Sequence, residues 1–176
     1  MTKTKKPPQK GLKLEKYISQ ALYANSIELF IYDTKVNMIA GMRKWLIANK
    51  YNKTAEEQFS LVGCVFENNR NQTYRDKHGE EYKLFAALFL CEEFLSMDLL
   101  AHECLHVAMT LERNIIRYCG LYDGNDGSGN AAEERLAYCV GDFMDQILRA
   151  CIKEKVKLKF VMEDKKCECC NEKEKK

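Results

Sequence analysis

Residues 102–106 read His-Glu-Cys-Leu-His, and these residue types at this spacing have a well-defined chemistry open to them. Histidines at i and i+4 lie on one face of a helix about one turn apart, so their imidazoles can converge on a single zinc ion. Glu103, beside His102, can reach the fourth coordination position and take a proton from water there. Either histidine alone reads as an ordinary residue of an apolar helix. The pair with its glutamate, in a chain with only 3 histidines, reads as a metal site. Catalytic zinc usually takes three protein ligands and leaves one position for water or substrate. The candidates for the third ligand are Glu133 and Glu134 in "EERLAYCVG", which opens a helix downstream of a loop.

Both requirements need helices, and the surrounding sequence supplies them. Ser96 is placed to cap a helix through "MDLLAHECLHVAMTLERNIIRYC", the Gly/Asn/Asp-rich "GLYDGNDGSGN" reads as a loop, and "AAEERLAYCVGDFMDQILRACIKEKV" reads as a last helix. Upstream, Leu14, Tyr17, Ile18, Ala21 and Leu22 recur at helical spacing, and "SIELFIYD" is strand-like or the end of that helix. "KVNMIAGMRKWLIANK" has helical spacing through Met38, Met42, Trp45 and Leu46. "QFSLVGCVFEN" reads as a strand, and "YKLFAALFLCEEF" as a second apolar run that is strand at its start. Strands and helices segregated along the chain predict an α+β fold.

Length and charge bound the possibilities. The chain has 176 residues, enough for one core but not two, and 28 basic against 26 acidic residues give a net charge of +2. The basic residues gather at the ends, so no nucleic-acid groove is indicated. Residues 1–11 and 163–176 are charged tails with little apolar surface and are expected to be disordered, which leaves a domain of about 12–162. No apolar run approaches the roughly 18–20 residues of a membrane span, and no secretory signal is visible. Nine cysteines without such a signal point to a reducing, cytoplasmic setting, with Cys64, Cys91, Cys104, Cys119, Cys139 and Cys151 as small hydrophobes in core-like segments.

"HECLH" followed by a helix with Glu134, Ala137 and Gly141 in the pattern E-x-x-A-x-x-x-G resembles the gluzincin type of zinc metallopeptidase, especially small zincin-like proteins of phage and bacterial origin. The resemblance covers about residues 84–148. It implies a zincin-like fold, a small sheet packed on the motif helix with a C-terminal helix that brings the third ligand. It also implies Zn2+ held by His102, His106 and a glutamate, with Glu103 as general base in the hydrolysis of a peptide or protein substrate. Tyr138, if it faces the cleft, would add a hydrogen bond to the oxyanion; otherwise it is an ordinary helix tyrosine.

Helix geometry separates the two glutamates. Asn130 is a good N-cap, which places Glu133 third in the helix, where its carboxylate can reach back to the cap as in a capping box. Glu134 points about 100° further round, with Ala137 and Gly141 above it to let the motif helix approach, whereas Val140 and Met144 above Glu133 look like core. Glu134 is therefore the expected ligand.

Weaker signals remain beside this one. Asp123, Asn125 and Asp126 resemble a calcium loop, but Ser128 stands where that motif wants its turn glycine, so a plain loop is the better reading. Cys167, Cys169 and Cys170 could bind a soft metal through thiolates, although their crowding lacks structural-zinc spacing and suits an oxidisable tail. His78 sits in a polar turn. The alternative to a peptidase is a catalytically silent zinc-binding regulatory or interaction protein on the same scaffold, and the intact Glu103 favours the enzyme.

Overall fold

The computed structural model describes the backbone of residues 9–20, 24–50, 63–68, 72–119 and 129–159, and their side chains except at 20, 114–119 and 129–133. Among the described residues, five strands and three helices follow in the order β1 (Leu12–Gln20), β2 (Asn25–Tyr32), α1 (Lys35–Ala48), β3 (Gly63–Glu67), β4 (Thr73–Arg75), β5 (Glu81–Cys91), α2 (Met97–Cys119) and α3 (Gly129–Lys153). The strands form one mixed sheet in the order β1-β2-β5-β3, with β4 paired to β5. β2 and β5 run parallel at its centre, and β1 and β3 flank them antiparallel. The fold is α+β, as the sequence predicts.

The sheet is buried on both faces. Ile27, Leu29 and Ile31 of β2 and Leu88 and Leu90 of β5 pack under α2 and α3, against Leu100, Cys104, Val107, Leu111, Phe143 and Ile147. The alternate residues Phe30, Tyr32, Ala87, Phe89 and Cys91 pack under α1, against Met38, Met42 and Leu46. This double burial explains why "SIELFIYD" and "YKLFAALFLC" read as continuous apolar runs rather than as alternating ones. The second run is strand throughout, from Glu81 to Cys91, not only at its start.

The first segment departs from expectation. Residues 12–20 form an edge strand rather than a helix. Leu14 and Ile18, the two residues it buries, are four apart, and positions i and i+4 share a face in a strand as well as in a helix. Tyr17 breaks the tie, because it leaves the opposite face to meet Glu28 on β2. Gln9, before the expected start of the domain, accepts a side-chain hydrogen bond from the Tyr32 hydroxyl at 2.6 Å.

Both described helix starts are capped. Thr34 Oγ1 accepts from Asn37 N at 3.3 Å at the head of α1, and Ser96 Oγ accepts from Leu99 N at 3.2 Å at the head of α2. His78 is exposed in the turn between β4 and β5, as expected; β4 itself carries no sequence signal beyond three residues. Cys64, Cys91, Cys104, Cys139 and Cys151 are buried free thiols. α3 starts at Gly129 with Asn130 already inside it, so Asn130 is not the residue before the helix that the N-cap expectation needs. The side chains of Cys119 and Glu133, the loop with Asp123, Asn125, Asp126 and Ser128, and the tails with Cys167, Cys169 and Cys170 lie outside the described residues. No helix among the described residues is long and apolar enough to cross a membrane.

Candidate metal centre

α2 owes its orientation to its apolar stripe. Leu100, Cys104, Val107, Ala108 and Leu111 are at most 1% exposed and recur at the spacing that keeps one face on the sheet. The same register turns His102, Leu105, His106 and Met109 outward. His102 and His106 stand with their Nε2 atoms 3.1 Å apart and their rings inclined at 79°. Two imidazole nitrogens bound to one tetrahedral zinc at about 2.0–2.1 Å are themselves about 3.3 Å apart. The observed separation is that of a hydrogen bond between the two rings, and it is also close to what one shared cation needs.

Glu103 lies between the outward histidines and the sheet. It is only 5% exposed, and no described group donates a hydrogen bond to its carboxylate. A buried carboxylate without a donor is costly and rare, and such orphans concentrate at functional sites. Burial raises its pKa above the usual carboxylate range, and the neighbouring His102 opposes the rise. That moves the group towards neutrality, where a general base is most effective.

β3 supplies the other wall. A Cβ on Gly63 would stand 2.8 Å from Glu103 Cγ and 2.9 Å from both Cδ and Oε1, so the glutamate fits only because this position carries no side chain. Sequence reasoning missed Gly63. The available signal was a glycine inside an apolar strand, which marks a close approach by another part of the molecule. One thiol, Cys104, follows Glu103 on α2, and another, Cys64, follows Gly63 on β3. Burial, and then the charge of Glu103, push both Cys64 and Cys104 up to about 12, so both are held as neutral packing groups.

α3 does not bring Glu134 to this site. Arg135 pairs with Glu112 Oε1 at 3.1 Å, and Glu112 lies about 9 Å along the axis from His106 and about 120° around it. Glu134, Ala137 and Gly141 are exposed, and a Cβ on Gly141 would meet nothing within 4 Å. The small-residue stripe expected to receive the motif helix is thus exposed rather than covered by it. The packed face of α3 carries Cys139, Phe143, Ile147 and Ala150, with Val140 and Met144 partly buried beside them as the sequence suggests. Tyr138 is 77% exposed on the outer side of α3. Among the described residues, no three His, Cys, Asp or Glu side chains are grouped as a metal ion would require.

What the structure brings together, then, is His102, His106, Glu103 and Gly63. Set against known proteins, the chain matches no family model, no curated protein and no solved structure.

Proposed function

We propose that this protein is a zinc-dependent hydrolase of peptide bonds on a zincin-like scaffold, with α2 as the active-site helix. The observation that carries the reading is the buried carboxylate of Glu103, to which no group among the described residues donates, beside two histidine nitrogens 3.1 Å apart. His102 and His106 would supply two of the ion's ligands, and a bound Zn2+ would supply Lewis acidity towards a water molecule and a substrate carbonyl. Glu103 accepts the proton of the attacking water and returns it to the leaving amine. Gly63 leaves room for that carboxylate and fixes where it can sit.

The test is metal analysis of the purified chain together with a peptide-library digest. About one zinc per chain is expected for the wild type and for Glu103→Gln, with strong loss in His102→Ala and His106→Ala. Hydrolysis is expected from the wild type alone. Failure of the wild type to retain zinc against a weak chelator refutes the metal site. Zinc retention with equal turnover by Glu103→Gln refutes the catalytic role, and zinc retention with no turnover by either protein returns the reading to a silent metal-binding scaffold.

A further inference from the structure

The face of the sheet turned away from α2 carries a second concavity, independent of the histidine site. Tyr17 of β1 and Glu28 of β2 are register partners, so their side chains leave the sheet together on the α1 side. The Tyr17 hydroxyl donates to Glu28 Oε1 at 3.0 Å, and Trp45 Nε1 of α1 donates to Oε2 at 2.8 Å. Each carboxylate oxygen is held by one neutral donor, and the two donors come from different elements. Among the described residues no lysine or arginine is within ion-pair distance of Glu28.

A cavity of about 750 Å3 opens over this carboxylate, within the range of about 300–1,000 Å3 typical of small-molecule sites. Trp45, Phe30 and Phe89 contribute aromatic lining. Their rings are fixed by one another: Phe30 and Phe89 stack at 4.8 Å, and Trp45 meets Phe89 edge-on at 5.8 Å. Tyr17 is likewise pinned by stacking on Tyr74 at 4.1 Å. Burial, and then the charge of Glu28, raise the Tyr17 pKa, which keeps its hydroxyl a donor.

A carboxylate with no ion-pair partner among the described residues, in a cavity lined in part by aromatic side chains, selects one ligand chemistry. An anion is repelled, and a neutral molecule gains only apolar contact. A cation gains the Glu28 charge and the ring faces together. We propose that this cavity binds a small organic ammonium ion, with its nitrogen against Glu28 and its apolar or aromatic body along Trp45. Lys44 also lines the cavity and acts as a mobile competitor for the same carboxylate.

Trp45 is the chain's single tryptophan, so its fluorescence reports on this cavity alone. The experiment titrates the full chain with phenethylamine and benzyltrimethylammonium, and with phenylethanol as the uncharged counterpart. Both cations should saturate, with phenylethanol at least about tenfold weaker. In Glu28→Gln the preference for cations should vanish, and in Lys44→Met it should grow. Equal affinity of the wild type for phenethylamine and phenylethanol, or no saturation by either cation, overturns the proposal without reference to any variant. An unchanged preference in a folded Glu28→Gln protein overturns it as well.

Discussion

Substituting Gly63 by alanine isolates the contact that fixes Glu103. The added methyl would lie 2.8–2.9 Å from Glu103 Cγ, Cδ and Oε1, whereas unstrained carbon contacts are about 3.5–4.0 Å. Something must therefore give by roughly 0.6–1.2 Å. The methyl is anchored to a strand paired along its length with β5, and the glutamate is boxed in by burial. Overpacking of this kind costs about 1–3 kcal/mol. The opposing term is the gain of about 0.5–1 kcal/mol for alanine over glycine in a strand interior.

A double-mutant cycle separates the two terms. Glu103→Ala deletes all three atoms that clash, so Gly63→Ala should be neutral or stabilising in that background and destabilising in the wild type. The coupling between the sites should be about 1–3 kcal/mol. Urea unfolding of the four proteins measures it directly and requires no substrate. A coupling below about 0.5 kcal/mol, with Gly63→Ala equally costly in both backgrounds, would falsify the packing of β3 against Glu103. Where hydrolysis is observed, the same displacement should lower it about 100-fold while zinc stays bound.

Three further outcomes follow from other parts of the molecule. Glu134→Ala should leave zinc content and stability essentially unchanged, because Glu134 is exposed and is not grouped with the two histidines among the described residues; loss of zinc on metal analysis would show that α3 turns to complete the ligand set. The thiols of Cys64 and Cys104, pushed up to about 12, and of Cys151, pushed up to about 11, all chiefly by burial, should resist alkylation of the native chain at about pH 8 and react on unfolding. Mass spectrometry reads this, and rapid native labelling of any of the three contradicts its burial. Asp33 Oδ1 accepts from Asn37 Nδ2 at 2.8 Å and Thr34 N at 2.6 Å, and the Asn37 bond leads in lowering its pKa. Its contribution to stability is thus present above the unfolded value of about 3.9 and is lost as pH falls through the lower folded value. Asp33→Ala should flatten that acid-side decline in a series of urea midpoints, and an unchanged profile would refute the assignment.

Legibility in the sequence followed the range of the interaction. The pairing of His102 with His106, the Ser96 cap and the apolar stripe of α2 are all set within one or two helical turns, and each can be read from spacing alone. The approach of Gly63 to Glu103 joins residues 40 positions apart, and only the sheet order places β3 beside α2. The Glu28 cluster has the same character, since Tyr17, Glu28 and Trp45 sit on three elements. β1 failed for a different reason. Its two buried residues sit at a separation common to both periodicities, so the pattern could not choose, and the choice was made by β2, which offered a partner strand and a carboxylate for Tyr17.

α3 shows how a local motif can compete with a local pattern. Two stripes run along it: Glu134, Ala137 and Gly141, matched to a family signature, and Leu136, Cys139, Val140, Phe143 and Ile147, matched to an amphipathic helix. Only one can face the core, and the energies are unequal. Burying Phe143 and Ile147, both 0% exposed, contributes about 1.5–3 kcal/mol each. Turning the small-residue stripe inward would expose both in exchange for an alanine and a glycine. Packing therefore sets the rotation of α3 and leaves Glu134 outside, and a third zinc ligand on this helix would have to overcome that preference. The histidine pair faces no such conflict, because the stripe that buries α2 is the same one that turns His102 and His106 to the surface together.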